Sequence, residues 1–152
     1  MDGSGRYFDE VRVGETFRRT ITITETHLVL GAGLIGDFNP HHVDEEYARK
    51  SRFGGRILHG MITSALMGAP VGMYFHGTAV AYLEHRARFL APVRPNDTLA
   101  STWTIVELLQ KPKHAGGIVV LEGVATNQAN AAVAEAHARI MVQSRGTNAG
   151  TV

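Results

Sequence analysis

The sequence predicts an α+β fold, an antiparallel sheet of about five strands covering one long central helix. Two observations carry that expectation. The stretch HGMITSALMGAPVGMYF, residues 59–75, repeats apolar and small residues at three- and four-residue steps, the period of a buried helix. The chain after it reads as four extended segments separated by clusters of turn residues, and connections that short favour antiparallel pairing.

The elements follow in order. From Glu15 to Thr26, ETFRRTITITET places Phe17, Ile21 and Ile23 on one parity and threonines on the other, the pattern of a half-buried strand. HLVLGAGL, from His27 to Leu34, suggests a short helix weakened by Gly31 and Gly33. A second short helix fits Asp44 to Arg49. In the central helix Met61, Ile62, Ala65, Leu66 and Ala69 recur nearly all round, and the small residues with Pro70 imply that other backbone approaches closely. The later strands span Ala79 to Phe89, Thr98 to Leu109, Gly117 to Asn127 and Ala132 to Val142. APVRPND, QKPKHAGG and NQANA supply the turns between them. The alanines of the last strand, AAVAEAHARIMV, would also suit a helix.

A chain of 152 residues is about one domain long. We expect a single domain over 1–152, with 1–6 and 144–152 flexible. Fifteen basic residues against fourteen acidic ones leave +1, so net charge points to neither nucleic acid nor a membrane surface as partner. The absence of cysteine removes disulfides, thiolate zinc sites and a cysteine nucleophile. With no signal-peptide core at the N-terminus and no apolar run of about 18 residues, the expectation is a cytoplasmic protein.

The densest chemistry lies in GDFNPHHVDEEYARKSRFGGRILHG, from Gly36 to Gly60. Asp37 and His42 are five residues apart around Phe38, Asn39 and Pro40, and proline restricts both itself and Asn39, so the connection is a shaped turn able to aim both side chains one way. A carboxylate and an imidazole facing one pocket can hold a water and exchange its proton, the more so if desolvation raises the carboxyl pKa. Seventeen residues beyond His42, His59-Gly60 opens the central helix. The N–H of Gly60 could there polarise a carbonyl, and its missing side chain would let a substrate come close.

This pattern, GDFNPHHVDEEYARKSRFGGRILHGM, resembles the hydratase motif of the MaoC-like, (R)-specific enoyl-CoA hydratase family. FLAPVRPNDTL and GGIVVLEGVATNQ extend the resemblance along the chain. It implies a hot-dog fold, in which an antiparallel sheet wraps around a long helix. It also implies a hydro-lyase interconverting trans-2-enoyl and (R)-3-hydroxyacyl thioesters in fatty acid metabolism. Asp37 and His42 match the pair that activates water, and Gly60 matches the oxyanion-hole glycine. Asn39 and His59, with neighbouring Met61, are carried over as substrate-binding or site-shaping residues. The resemblance implies no cofactor beyond coenzyme A as part of the substrate, and a homodimer or higher homo-oligomer. Some members have serine where this chain has Gly68, which suggests a wider acyl pocket.

Other readings compete. A hot-dog thioesterase would share the fold but release free thiol, and a non-catalytic acyl-CoA or acyl-carrier-binding subunit would bind without turnover. His41, His42, Asp44 and His59 do not match a trusted metal-ligand spacing, so no metal is expected. His27, His76, His85, His114 and His137 read as surface or structural, and Gly54-Gly55 as a turn. KPKH, from Lys111 to His114, and the arginines Arg56, Arg86, Arg88 and Arg94 are candidates for the nucleotide end of coenzyme A. Met61, Met67, Met73 and Phe75 suit core or acyl-tunnel lining, and Trp103 packs within a strand.

Overall fold

The computed structural model describes residues 5–146. Its five strands are β1 (Thr16–Thr22), β2 (Ala79–Phe89), β3 (Thr98–Lys111), β4 (Gly116–Thr126) and β5 (Ala132–Gln143). They form one antiparallel sheet ordered β1-β3-β4-β5-β2. Four helices precede β2: α1 (Glu25–Ile35), α2 (Pro40–Val43), α3 (Glu45–Lys50) and α4 (Gly60–Tyr74). The first strand stops earlier than alternation suggests. Helix α1 captures Thr24 as its cap, and the Thr24 N–H donates to His27 Nδ1 at 3.0 Å, a capping-box exchange that favours helix over extended backbone.

The alanine-rich last segment is a strand because β4 and β2 both pair with it, and its small side chains let α4 lie close. The core between sheet and helix is built on Trp103, Met67, Val71, Phe75, Leu121 and Ile140. Trp103 is fully buried and its indole N–H donates to the Met67 carbonyl at 2.9 Å, fastening β3 to α4. Trimming such a tryptophan to alanine costs about 3–5 kcal/mol. Opposite it in β4 stands Gly123, where a Cβ would lie 2.7 Å from the indole ring.

Helix α4 departs from the expectation of burial all round. Thr63, Met67, Pro70 and Val71 face the core, while the stripe Met61, Ala65, Ala69 and Met73 stays exposed. One sheet has one inner face, so a single chain covers only one side of the helix. Val80, Tyr82, Leu83 and Phe89 on edge strand β2 are also exposed.

The described parts of the two ends make contacts with the body of the fold. The N–H groups of Gly5 and Arg6 donate to the carbonyls of His76 and Tyr74, and Arg145 pairs with Glu10. The rest of segments 1–6 and 144–152, expected to be flexible, lies outside the described residues. No described helix is long and apolar enough to cross a membrane.

Candidate active site

Gly36 ends α1 with φ +73°, a left-handed conformation that glycine adopts without cost, and its N–H donates to the Ala32 carbonyl. That turn delivers Asp37 to the surface. The Asp37 carboxylate accepts the Asn39 N–H at 3.1 Å, and Asn39 in turn caps α2 by accepting the His41 N–H at 3.2 Å. Pro40 occupies the first helical position, where its missing N–H is no loss. The predicted turn is thus a one-turn helix, and it places His42 beside Asp37.

The His42 ring is fixed from behind. Its Nδ1–H donates to the Ile57 carbonyl at 2.8 Å, and its Nε2 faces the Asp37 carboxylate at 3.8 Å. That gap is too long for a direct hydrogen bond, so both groups can address one water. The Asp37 side chain is 48% exposed.

His59 is 1% exposed and lies under this pair. Its Nε2–H donates to the Asp37 carbonyl at 2.9 Å, and its ring stacks on that of His42 with centroids 3.8 Å apart. Its Nδ1 is buried without a protein partner. Asp37, His42 and His59 offer ligand atoms within 4.8 Å of one another, and with its Nε2–H held by a carbonyl His59 keeps Nδ1 as its open donor atom.

Gly60 is the first residue of α4, so its N–H has no intrahelical partner, and none of the backbone hydrogen bonds outside the regular elements uses it. A cavity of about 290 Å³ opens there, bounded by His42, Arg52, Gly60, Thr63, Phe89 and Val93. The missing Gly60 side chain does not leave open space, because a Cβ would meet the Phe89 ring at 3.0 Å. On its other side His42 borders a second cavity of about 250 Å³ with Leu28, Phe38 and Val43.

The structure therefore sets His42 beside Asp37 and places His42 and Gly60 on one cavity, whose walls do not include Asp37. Asn39 and His59 shape and support the site and do not line the Gly60 cavity. Met61 is 67% exposed on the open stripe of α4 and also lies outside those walls. At Gly68 a Cβ would make ordinary van der Waals contact with Tyr82 and His85 at 3.6 Å. His85 donates to or accepts from the Tyr82 hydroxyl through Nδ1 at 3.0 Å, and burial lowers its pKa.

Two contributors were illegible in the sequence. The Ile57 carbonyl orients His42, yet every residue has a carbonyl. Arg56 ties α1 to α3 by donating to Glu25 at 2.6 Å and to Glu45 at 2.9 Å, and nothing in the chain links residues 31 apart. These two acids raise the Arg56 pKa, while its guanidinium lowers that of Glu45.

Comparison with known proteins adds independent support. The family model described as MaoC like domain matches residues 10–129. An (R)-specific enoyl-CoA hydratase of Rhodospirillum rubrum is 36% identical over 128 residues, covering 79% of this chain and 89% of that protein. A 3-hydroxybutyryl-CoA dehydratase of Methylorubrum extorquens is 33% identical over 127 residues, covering 78% and 81%. Among solved structures, an unliganded R-hydratase of Pseudomonas aeruginosa superposes with a TM-score of 0.81 at 33% identity, covering 91% of this chain and 86% of the other.

Proposed function

Because the chain belongs to the MaoC-like domain family, whose named relatives are hydratases and dehydratases with the hot-dog fold, we propose that it reversibly adds water to a trans-2-enoyl thioester to give the (R)-3-hydroxyacyl thioester. The observation that carries this reading is the His42 Nε2 facing the Asp37 carboxylate across 3.8 Å, beside the unpaired N–H of Gly60 at the start of α4.

A water held by that pair loses one proton to it as its oxygen bonds to C3. Negative charge moves onto the thioester oxygen, where the Gly60 N–H stabilises it more than it stabilises the ground state. The pair then returns a proton to C2, so that H and OH have added across the double bond and both side chains end as they began. With Nδ1–H held by Ile57, the neutral His42 presents its Nε2 as an acceptor. The roles of Asp37, His42 and Gly60 belong to this proposal, as does their placement in one 1–152 domain. No cofactor enters the scheme beyond coenzyme A as part of the substrate.

We further propose a homodimer acting in fatty acid metabolism in the cytoplasm. Support comes from edge strand β2, which carries exposed apolar residues, and from the open stripe of α4. An unpaired edge of that kind needs covering. Light scattering after size exclusion should give twice the chain mass, and a monomer at assay concentrations refutes the dimer.

The activity is tested by loss of the conjugated thioester absorbance when crotonyl-CoA or longer enoyl-CoA is added, with product chirality measured. Free thiol release in place of hydration would identify a thioesterase, and binding without turnover a silent subunit. Asp37→Asn should lower kcat by roughly 10²–10⁴-fold with the unfolding transition unmoved. Full activity in that variant would remove Asp37 from the mechanism.

A further inference from the structure

The cations that the sequence offered for the charged end of the thioester are engaged elsewhere. Arg56 is held by Glu25 and Glu45, Arg86 by Glu84, Arg88 by Glu135, and Arg94 donates to the Phe53 carbonyl. The KPKH tip adjoins Gly116, which pairs with Gln143 at the far end of β5 from Ala134, the partner of Phe89. Nine residues of strand from Gln143 to Ala134 put that tip roughly 30 Å from Phe89 within one chain.

Arg52 is different. It is exposed, belongs to the wall of the cavity that holds His42 and Gly60, and is the sole arginine or lysine among the residues bounding it. No aspartate or glutamate lines that cavity. The guanidinium carbon lies 4.9 Å from the Phe53 ring centroid, a cation–π contact that steadies the group while leaving its N–H donors available. Among the described residues it has no carboxylate partner within ion-pair distance. The Arg94 bond to the Phe53 carbonyl braces the same turn from the other side.

We propose that Arg52 is the anchor for a phosphate on the thiol-bearing arm of the substrate, at the mouth of the cavity whose floor is His42 and Gly60. The proposal rests on the hydratase reading. A planar guanidinium suits phosphate oxygens because two parallel N–H groups can be donated at once. Coenzyme A and the phosphopantetheine arm of a carrier protein share this chemistry.

The test compares wild type, Arg52→Gln and Arg52→Lys on crotonyl-CoA, crotonyl-4′-phosphopantetheine and the phosphate-free crotonyl N-acetylcysteamine thioester. For Arg52→Gln, KM for crotonyl-CoA should rise on the order of 10- to 100-fold, at least tenfold more than for the N-acetylcysteamine thioester. Lysine should restore part of the loss, and raising the ionic strength should narrow the gap between wild type and Arg52→Gln. A matching penalty on crotonyl-4′-phosphopantetheine assigns Arg52 to the phosphate shared with carrier proteins; a penalty confined to crotonyl-CoA assigns it to the nucleotide phosphates. Equal penalties on all three thioesters, or none, overturn the proposal. Titration calorimetry of free coenzyme A into wild type and Arg52→Gln needs no turnover. It therefore judges the anchor even if the wild type hydrates nothing, a result that would sink the hydratase reading alone.

Discussion

Replacing His59 with phenylalanine separates what this buried ring does for stability from what it does for the site. The substitution removes the Nε2–H···O=C bond to Asp37 at 2.9 Å, worth about 1 kcal/mol net. It also removes the Nδ1 that is buried without a protein partner, and relief of such an atom returns about 1–3 kcal/mol. The aromatic ring is kept, so the stack on His42 at 3.8 Å survives. The two terms oppose each other, and the variant should unfold within about 1 kcal/mol of wild type or be slightly more stable. Activity should behave otherwise. With its carbonyl released, the Asp37 segment is no longer fixed against the start of α4, and a displacement of about 1 Å costs roughly 10²-fold in rate. Urea unfolding and crotonyl-CoA hydration on the same preparation read both quantities. Unchanged kcat at unchanged stability refutes the argument that His59 positions Asp37, whereas parallel loss of both would make it an ordinary core residue.

Two further outcomes follow from the packing. Gly123→Ala sets a Cβ 2.7 Å from the Trp103 ring and should destabilise by about 1–3 kcal/mol, read by denaturant midpoint and a shift in tryptophan fluorescence. His85 should titrate below its ordinary 6.5 because burial disfavours its charged form. The unfolded chain then binds the proton more readily than the folded one, so this contribution is present above pH 6.5 and is lost as pH falls toward the folded value. NMR titration of the imidazole, with unfolding measured across that interval, checks the sign.

Much of this was legible from local patterning. The five strands follow from alternation and turn chemistry, and Ala79–Phe89 matches its expected bounds. The Asp37–His42 juxtaposition follows from the constraint that Pro40 imposes. What stayed hidden depended on long-range partners. The open side of α4 follows from the width of one sheet, while apolar periodicity cannot distinguish burial in the fold from burial in an assembly. The support under Asp37 and His42 comes from the carbonyl of Ile57 and the buried face of His59, neither of which has a signature in spacing. The engaged state of Arg56 and Arg88 also depended on acids brought close only by folding, and that of Arg94 on the Phe53 carbonyl, whereas Glu84 lies two residues from Arg86 in the sequence.

The segment between α3 and α4 has the composition of a surface loop, yet it is tied at both ends and in the middle. Ile57 N–H donates to the His41 carbonyl, Leu58 N–H to that of Val93, Arg94 to that of Phe53, and Arg56 grips two helices. Ordinary loops vary in length at little expense. Here one inserted residue between Arg56 and Leu58 would put the carbonyl that orients His42 out of register with the His59 ring beneath it. Variation in this segment should therefore proceed by substitution at fixed length. Anyone redesigning the pocket mouth can exchange side chains at Arg52 or Phe53 but should leave the count of residues from His42 to Gly60 alone.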